Sequence, residues 1–271
     1  MTADLDQDDI AWLRKYAKDV ADEYSGRFQK SGTKFPNWKQ LIERFQAAID
    51  VVIAQGRTHF HAVDEAHNEL CIADGILATG QFAQLDYEPA LRGTGQTIDY
   101  RGTTGKGIEA YVDVKTINPK YRDRWDQFEQ ARRESWLPDN VEVVLGKKWL
   151  GGEIWHSMFA SRSRMLEYTL ELEAKISAAG LANDKTTTFL ALCGNGFDWH
   201  EDELEDFVNF YRSGDHRPDD PWGKAEAHHM NAKNITLQRT ISRFAYLRRS
   251  QFDLYAKRLN WNVQAPQAPQ F

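Results

Sequence analysis

Apolar residues recur at helical spacing through the first quarter of the chain. Over residues 9–24, Trp12, Leu13, Tyr16, Ala17 and Val20 fall on one side of a helix. The turn SGTKFPN follows. Leu41, Ile42, Phe45, Ile49 and Val52 then repeat the spacing over residues 38–54, and Gly56 ends that second helix. A third helical segment covers residues 61–77. The period changes at Leu85. The stretch LDYEPALRGTGQTIDYRGTTGKGIEAYVDVKTINP holds three short β-like runs separated by Gly-rich turns.

Beyond these runs, residues 121–136 read as a highly charged helix, broken by Pro138 and Asn140. Residues 141–145 read as a short strand. A long helix over residues 154–179 is closed by Gly180. The run TTTFLALC, residues 186–193, is β-rich without alternation, which predicts a central strand buried on both faces. A helix follows over residues 201–211, and residues 235–262 read as a helix followed by a strand. The tail QAPQAPQF has low complexity and is expected to be disordered. The order helix, three-strand meander, helix, central strand, helix predicts an α/β sandwich. Residues 1–58 form a helical N-terminal extension in this reading, residues 59–262 the main domain and residues 263–271 the tail.

Composition narrows the class. The longest apolar runs, around Val51 and Leu190, are far too short to span a bilayer, so no membrane association is expected. The N-terminus MTADLDQDD has no apolar stretch of the secretory kind. Cys71 and Cys193 form no partner pattern and read as reduced thiols, which places the chain in the cytoplasm. A net charge of −6 argues against nonspecific coating of nucleic acid. The charge is segregated, however. Lys233, Arg239, Arg243, Arg248, Arg249, Lys257 and Arg258 face only Asp253 in the last stretch, while residues 198–220 are acidic.

The β-like runs carry the candidate chemistry. Side chains repeat every two residues along a strand, so Asp113 and Lys115 share a face. Asp99 lies on the neighbouring run and Glu88 ends the first. Two carboxylates with an adjacent lysine form a potential site for a hard divalent cation. Mg²⁺ takes oxygen ligands and keeps several waters, so one or two carboxylates suffice. Such a cation can activate water and stabilise charge in phosphodiester hydrolysis.

The string YEP…DYRG…YVDVKT resembles the PD-(D/E)XK nuclease superfamily, with its restriction-endonuclease-like fold. The resemblance covers roughly residues 61–212 and leaves the first two helices and the basic C-terminal segment unexplained. Ile98 stands where the family's name has proline. The resemblance implies a mixed β-sheet core flanked by helices. It implies Mg²⁺, with Mn²⁺ as substitute, held by Asp99, Asp113 and the Val114 carbonyl, with Lys115 positioning or activating the attacking water. Glu69, on the helix before the first run, and Glu88 are the further acids it suggests, Glu69 facing the metal.

Arg101, Lys120, Arg122 and Arg124 are candidate phosphate contacts, and Lys147 and Lys148 beside Trp149 form an aromatic-plus-basic loop suited to a base. Each has a plainer reading as solvated surface. His228, His229, Asn231 and Asn234 lack the paired metal-ligand histidines of a His–Asn nuclease. The stretch RGTGQ has no following Lys-Ser/Thr and is no phosphate-binding P-loop. The expectation is a Mg²⁺-dependent endonuclease acting on DNA, with RNA left open, in restriction, repair or defence. A homodimer follows only by analogy with nucleases that cut both strands, and a larger defence or repair complex is left open. The alternatives are a noncatalytic nucleic-acid-binding or assembly module on the same fold, and an interaction domain whose acids are incidental.

Overall fold

The computed structural model describes residues 5–56, 59–117, 161–194, 201–213, 237–250 and 253–264. Three helices open the chain: α1 (Gln7–Lys30), α2 (Trp38–Gln55) and α3 (Phe60–Ala78). The Asp6 carboxylate accepts the Asp9 N–H at 2.7 Å, and Asp9 returns the bond to the Asp6 N–H, closing a capping box at the start of α1. Asp8 and Asp9 in its first turn and Arg27 and Lys30 in its last complement the helix dipole. Helix α2 stops at Gly56, whose φ of 91° lies where a side chain would be strained.

The strands β1 (Phe82–Tyr87), β2 (Tyr100–Thr104) and β3 (Glu109–Ile117) form an antiparallel meander. Helix α4 (Ser161–Ala178) leads to β4 (Thr186–Gly194), α5 (Glu201–Ser213) to β5 (Arg243–Ser250), and β6 (Asp253–Gln264) completes the sheet. The six strands lie in chain order. Strand β4 pairs in parallel with both β3 and β5, while β5 and β6 are antiparallel. Parallel neighbours need a crossover, and α4 and α5 lie on the connections that supply it.

Alternation divides the sheet into two faces. Ala110, Val112 and Val114 of β3, Phe189, Ala191 and Cys193 of β4, and Ala245 and Leu247 of β5 pack with α1–α3 in one core. Tyr111, Leu190, Leu192, Phe244 and Tyr246 pack with α4 and α5 in the other. The molecule is thus a mixed α/β sheet with helices on both faces, and β4 is buried on both, as its unbroken apolar run predicts. No helix among the described residues is long and apolar enough to cross a membrane.

The first two helices are woven into the sheet. In the link between α1 and α2, Lys34 donates its N–H to Ala83 O at 3.0 Å and accepts from Leu85 N at 2.9 Å, which covers the outer edge of β1. Asn37 extends that cover by accepting the Tyr87 N–H at 3.0 Å and donating to Tyr87 O at 2.5 Å. On β2, Gly102 admits the Phe82 ring: a Cβ there would lie 2.6 Å from Phe82 Cδ1.

The buried Glu173 of α4 ties the second layer together. It accepts the Tyr211 hydroxyl at 2.7 Å and the backbone N–H groups of Gln238, Arg239 and Thr240 at 2.7, 2.5 and 3.2 Å. The positive φ of Arg239, 60°, belongs to this turn. Tyr211 in turn accepts the Ile241 N–H at 2.9 Å, fixing the approach to β5.

One expectation fails in its first half. Within residues 235–262 the expected strand is β6, but β5 stands where the helix was expected, and there is no helix among the described residues. The run Phe244–Leu247 is buried on both faces, so it lacks the alternation that marks a strand, and periodicity alone does not separate it from a buried helix. Of the tail expected over residues 263–271, Val263 and Gln264 belong to β6 instead. The rest of that tail, the helix expected at 121–136, the strand at 141–145 and the first turns of the helix starting at 154 lie outside the described residues.

Candidate functional site

Asp113 lies on the face of β3 that turns toward α4 and is only 1% exposed. Its Oδ1 accepts from Lys175 Nζ of α4 at 3.0 Å, and its Oδ2 lies 3.2 Å from Lys115 Nζ. Oδ2 is buried and accepts no hydrogen bond. The Lys115 ammonium also lies 3.7 Å from Glu171 Oε2 and 5.7 Å from the centre of the Tyr168 ring. Burial draws Lys115 toward its neutral form, but the charges of Asp113 and Asp99 outweigh it and hold its pKa above the ordinary lysine value.

Asp99 immediately precedes β2. The first residue of β2, Tyr100, pairs with Val112, so Val114 lies beyond the point where β2 begins. The Asp99 carboxylate fills that notch and accepts the Val114 N–H at 2.5 Å. In an extended strand the N–H and C=O of one residue point to the same edge, so the Val114 carbonyl faces the notch as well. Burial, and then the charge of Asp113, raises the Asp99 pKa above the ordinary carboxylate range, against the pull of the Val114 N–H.

Glu69 approaches from the other side of the sheet, on α3. Its Oε2 accepts from Arg44 Nη1 at 2.9 Å and from the Tyr87 hydroxyl at 2.8 Å. Burial and the nearby Asp99 charge push its pKa up to about 8, although Arg44 and the Tyr87 hydroxyl both favour the anion. Tyr100 steadies the helix backbone by donating to Glu69 O at 2.9 Å. Glu88, just past β1, is half exposed and reaches Arg44 Nη1 at 3.2 Å. Its backbone N–H donates to Asp99 O at 2.8 Å. A seam of charge therefore crosses the sheet where β2 gives out. Glu69 and Arg44 lie on one face, Asp99 in the notch, and Asp113, Lys115 and Lys175 on the other.

The structure thus brings Asp99, Asp113, Lys115 and Val114 together at one notch, sets Glu69 on the opposite face of the sheet within reach of the Asp99 charge, and leaves Glu88 at the rim. Arg101 is engaged elsewhere, forking onto Asp86 Oδ2 with Nε at 3.2 Å and Nη2 at 2.9 Å. Lys120, Arg122, Arg124, Lys147 and Lys148 lie outside the described residues. Lys175 and Arg44 are additions that sequence reading misses. A signal for Lys175 exists in hindsight: Tyr168, Glu171 and Lys175 share a helical stripe beside the buried Leu172 and Ile176. Nothing in the sequence says that this stripe faces Asp113.

The donor set suits a hard cation. Asp99, Asp113 and the Val114 carbonyl offer oxygen only, and the buried Oδ2 has an ammonium 3.2 Å away but accepts no hydrogen bond. Among the described residues, no group of three or more His, Cys, Asp or Glu side chains is placed to hold a metal. Two carboxylates and one carbonyl would leave the remaining positions of an octahedral ion to water. No family model matches the sequence, and neither a curated protein nor a solved structure matches it.

Proposed function

We propose that the chain is a Mg²⁺-dependent nuclease that hydrolyses DNA phosphodiester bonds at the notch. One observation carries the reading: a fully buried aspartate lies between two lysine ammonium groups, beside a second carboxylate held at the neighbouring backbone position. Asp113, Asp99 and the Val114 carbonyl would hold the ion. When bound, Mg²⁺ would polarise the phosphodiester and lower the pKa of a water. Lys115 stays protonated at its raised pKa and serves as a fixed positive charge for the pentavalent phosphate. Glu69 retains a proton near neutrality and can exchange it at Oε1, since Oε2 accepts from Arg44 and the Tyr87 hydroxyl. A restriction-endonuclease-like topology, a cytoplasmic setting and a task in restriction, repair or defence belong to the same proposal.

A second reading has its own support. Both oxygens of Asp113 are already met by ammonium groups, which suits a structural ion triad in a noncatalytic nucleic-acid-binding module. Incubation with supercoiled and linear DNA in Mg²⁺, Mn²⁺ or EDTA, beside Lys115→Ala, separates the two. The nuclease predicts cutting that needs metal and vanishes in the variant. Undiminished cutting by folded Lys115→Ala would sink it. Salt-sensitive binding without turnover, with Mn²⁺ heats unchanged in Asp113→Asn, would favour the second reading.

A further inference from the structure

Lys175 is the group that neither the sequence pattern nor the proposed chemistry requires, and it makes the better hydrogen bond to Asp113. It reaches the carboxylate from the last turn of α4, whereas Lys115 sits two residues away on the same strand. Among the described residues Lys175 ion-pairs with Asp113 alone, while Lys115 has Glu171 as a second acid within 3.7 Å. An unpaired charge at 1% exposure is costly, so the contact with a counter-charge is what makes the site tolerable in the fold. A divalent ion arriving at Asp113 supplies that charge, and it repels an ammonium sharing the same oxygens.

We infer that Lys175 is a positioning residue that acts as the resident counter-ion of Asp113. It pairs with the buried carboxylate and orients it while no metal is bound, and a divalent cation must displace it to bind. This rests on the metal-site reading above. Displacement costs metal affinity, so the native site binds its ion more weakly than the same carboxylates would alone.

The test is calorimetric titration of Mn²⁺ into the full chain, comparing native protein with Lys175→Gln, Lys175→Arg and Asp113→Asn, together with thermal unfolding in EDTA and in saturating Mn²⁺. Lys175→Gln is expected to bind Mn²⁺ at least ~tenfold more tightly, from removal of one like charge at contact range. It will unfold earlier in EDTA and gain more from Mn²⁺ than the native chain does. Lys175→Arg is expected to behave as native, and Asp113→Asn to lose the heat. Should Lys175→Gln be unfolded in EDTA, recovery of its circular dichroism on adding Mn²⁺ supports the inference and failure to recover overturns it. Equal or weaker Mn²⁺ binding by folded Lys175→Gln, with the heat still lost in Asp113→Asn, overturns the competition and leaves the metal site standing. No Mn²⁺ heat from any of the four proteins removes the metal site, and the competition with it.

Discussion

Asp113 shows what a single residue can demand of its surroundings. Removing one member of a buried ion pair leaves the other uncompensated, so Asp113→Ala strands Lys115 and Lys175 against each other. A loss of ~3–5 kcal/mol in urea unfolding is expected, with Asp113→Asn milder because it keeps the shape and one acceptor. Glu69 adds a pH dependence with a definite sign. Its folded pKa, about 8, lies above the ordinary 4.5, so the folded chain holds a proton that the unfolded chain has released. Its contribution therefore makes stability fall as pH rises through that window, and Asp99, also raised, acts in the same direction. Unfolding midpoints measured across the window are expected to slope less in Glu69→Gln than in the native protein. At this scale the sequence is readable within a strand: alternation alone puts Asp113 beside Lys115. Lys175 and Arg44 are not readable, because each is brought in by a helix whose packing direction is a tertiary fact.

Among the elements, α4 depends on a polar contact as much as on its apolar stripe. Glu173→Gln turns one accepting oxygen into a donor that faces backbone N–H groups. A destabilisation of ~2–4 kcal/mol is expected from the donors left unmet, read by thermal or chemical unfolding. Gly102→Ala pushes a methyl group into the Phe82 ring and is expected to cost ~1–3 kcal/mol. Joint substitution with Phe82→Leu would recover part of that loss. Helices α1 and α2 were legible because each has one wet and one dry side. Strand β5 was not, because both its faces are dry and its four apolar residues show no period. The same property made β4 legible only because Thr186–Thr188 add β-branched residues to the run.

Across the whole molecule, the helices read as an N-terminal extension share a core with the sheet and cover the edge of β1. A chain lacking residues 1–58 is therefore expected to lose cooperative unfolding by circular dichroism, since Leu85, Tyr87 and Tyr100 would face water. The overall layering was legible from the order of elements, but the parallel pairing on both sides of β4 was not, since it joins segments far apart in sequence. That pairing has a consequence for synthesis. Strand β3 leaves the ribosome well before β4, and until Thr186–Gly194 arrives the edge of AYVDVKTI is open. Two nascent chains that stacked this segment in register would set Asp113 on Asp113 and Lys115 on Lys115. The same pair of charges that the finished fold hides at its centre thus guards the unfinished one against pairing with its own copies.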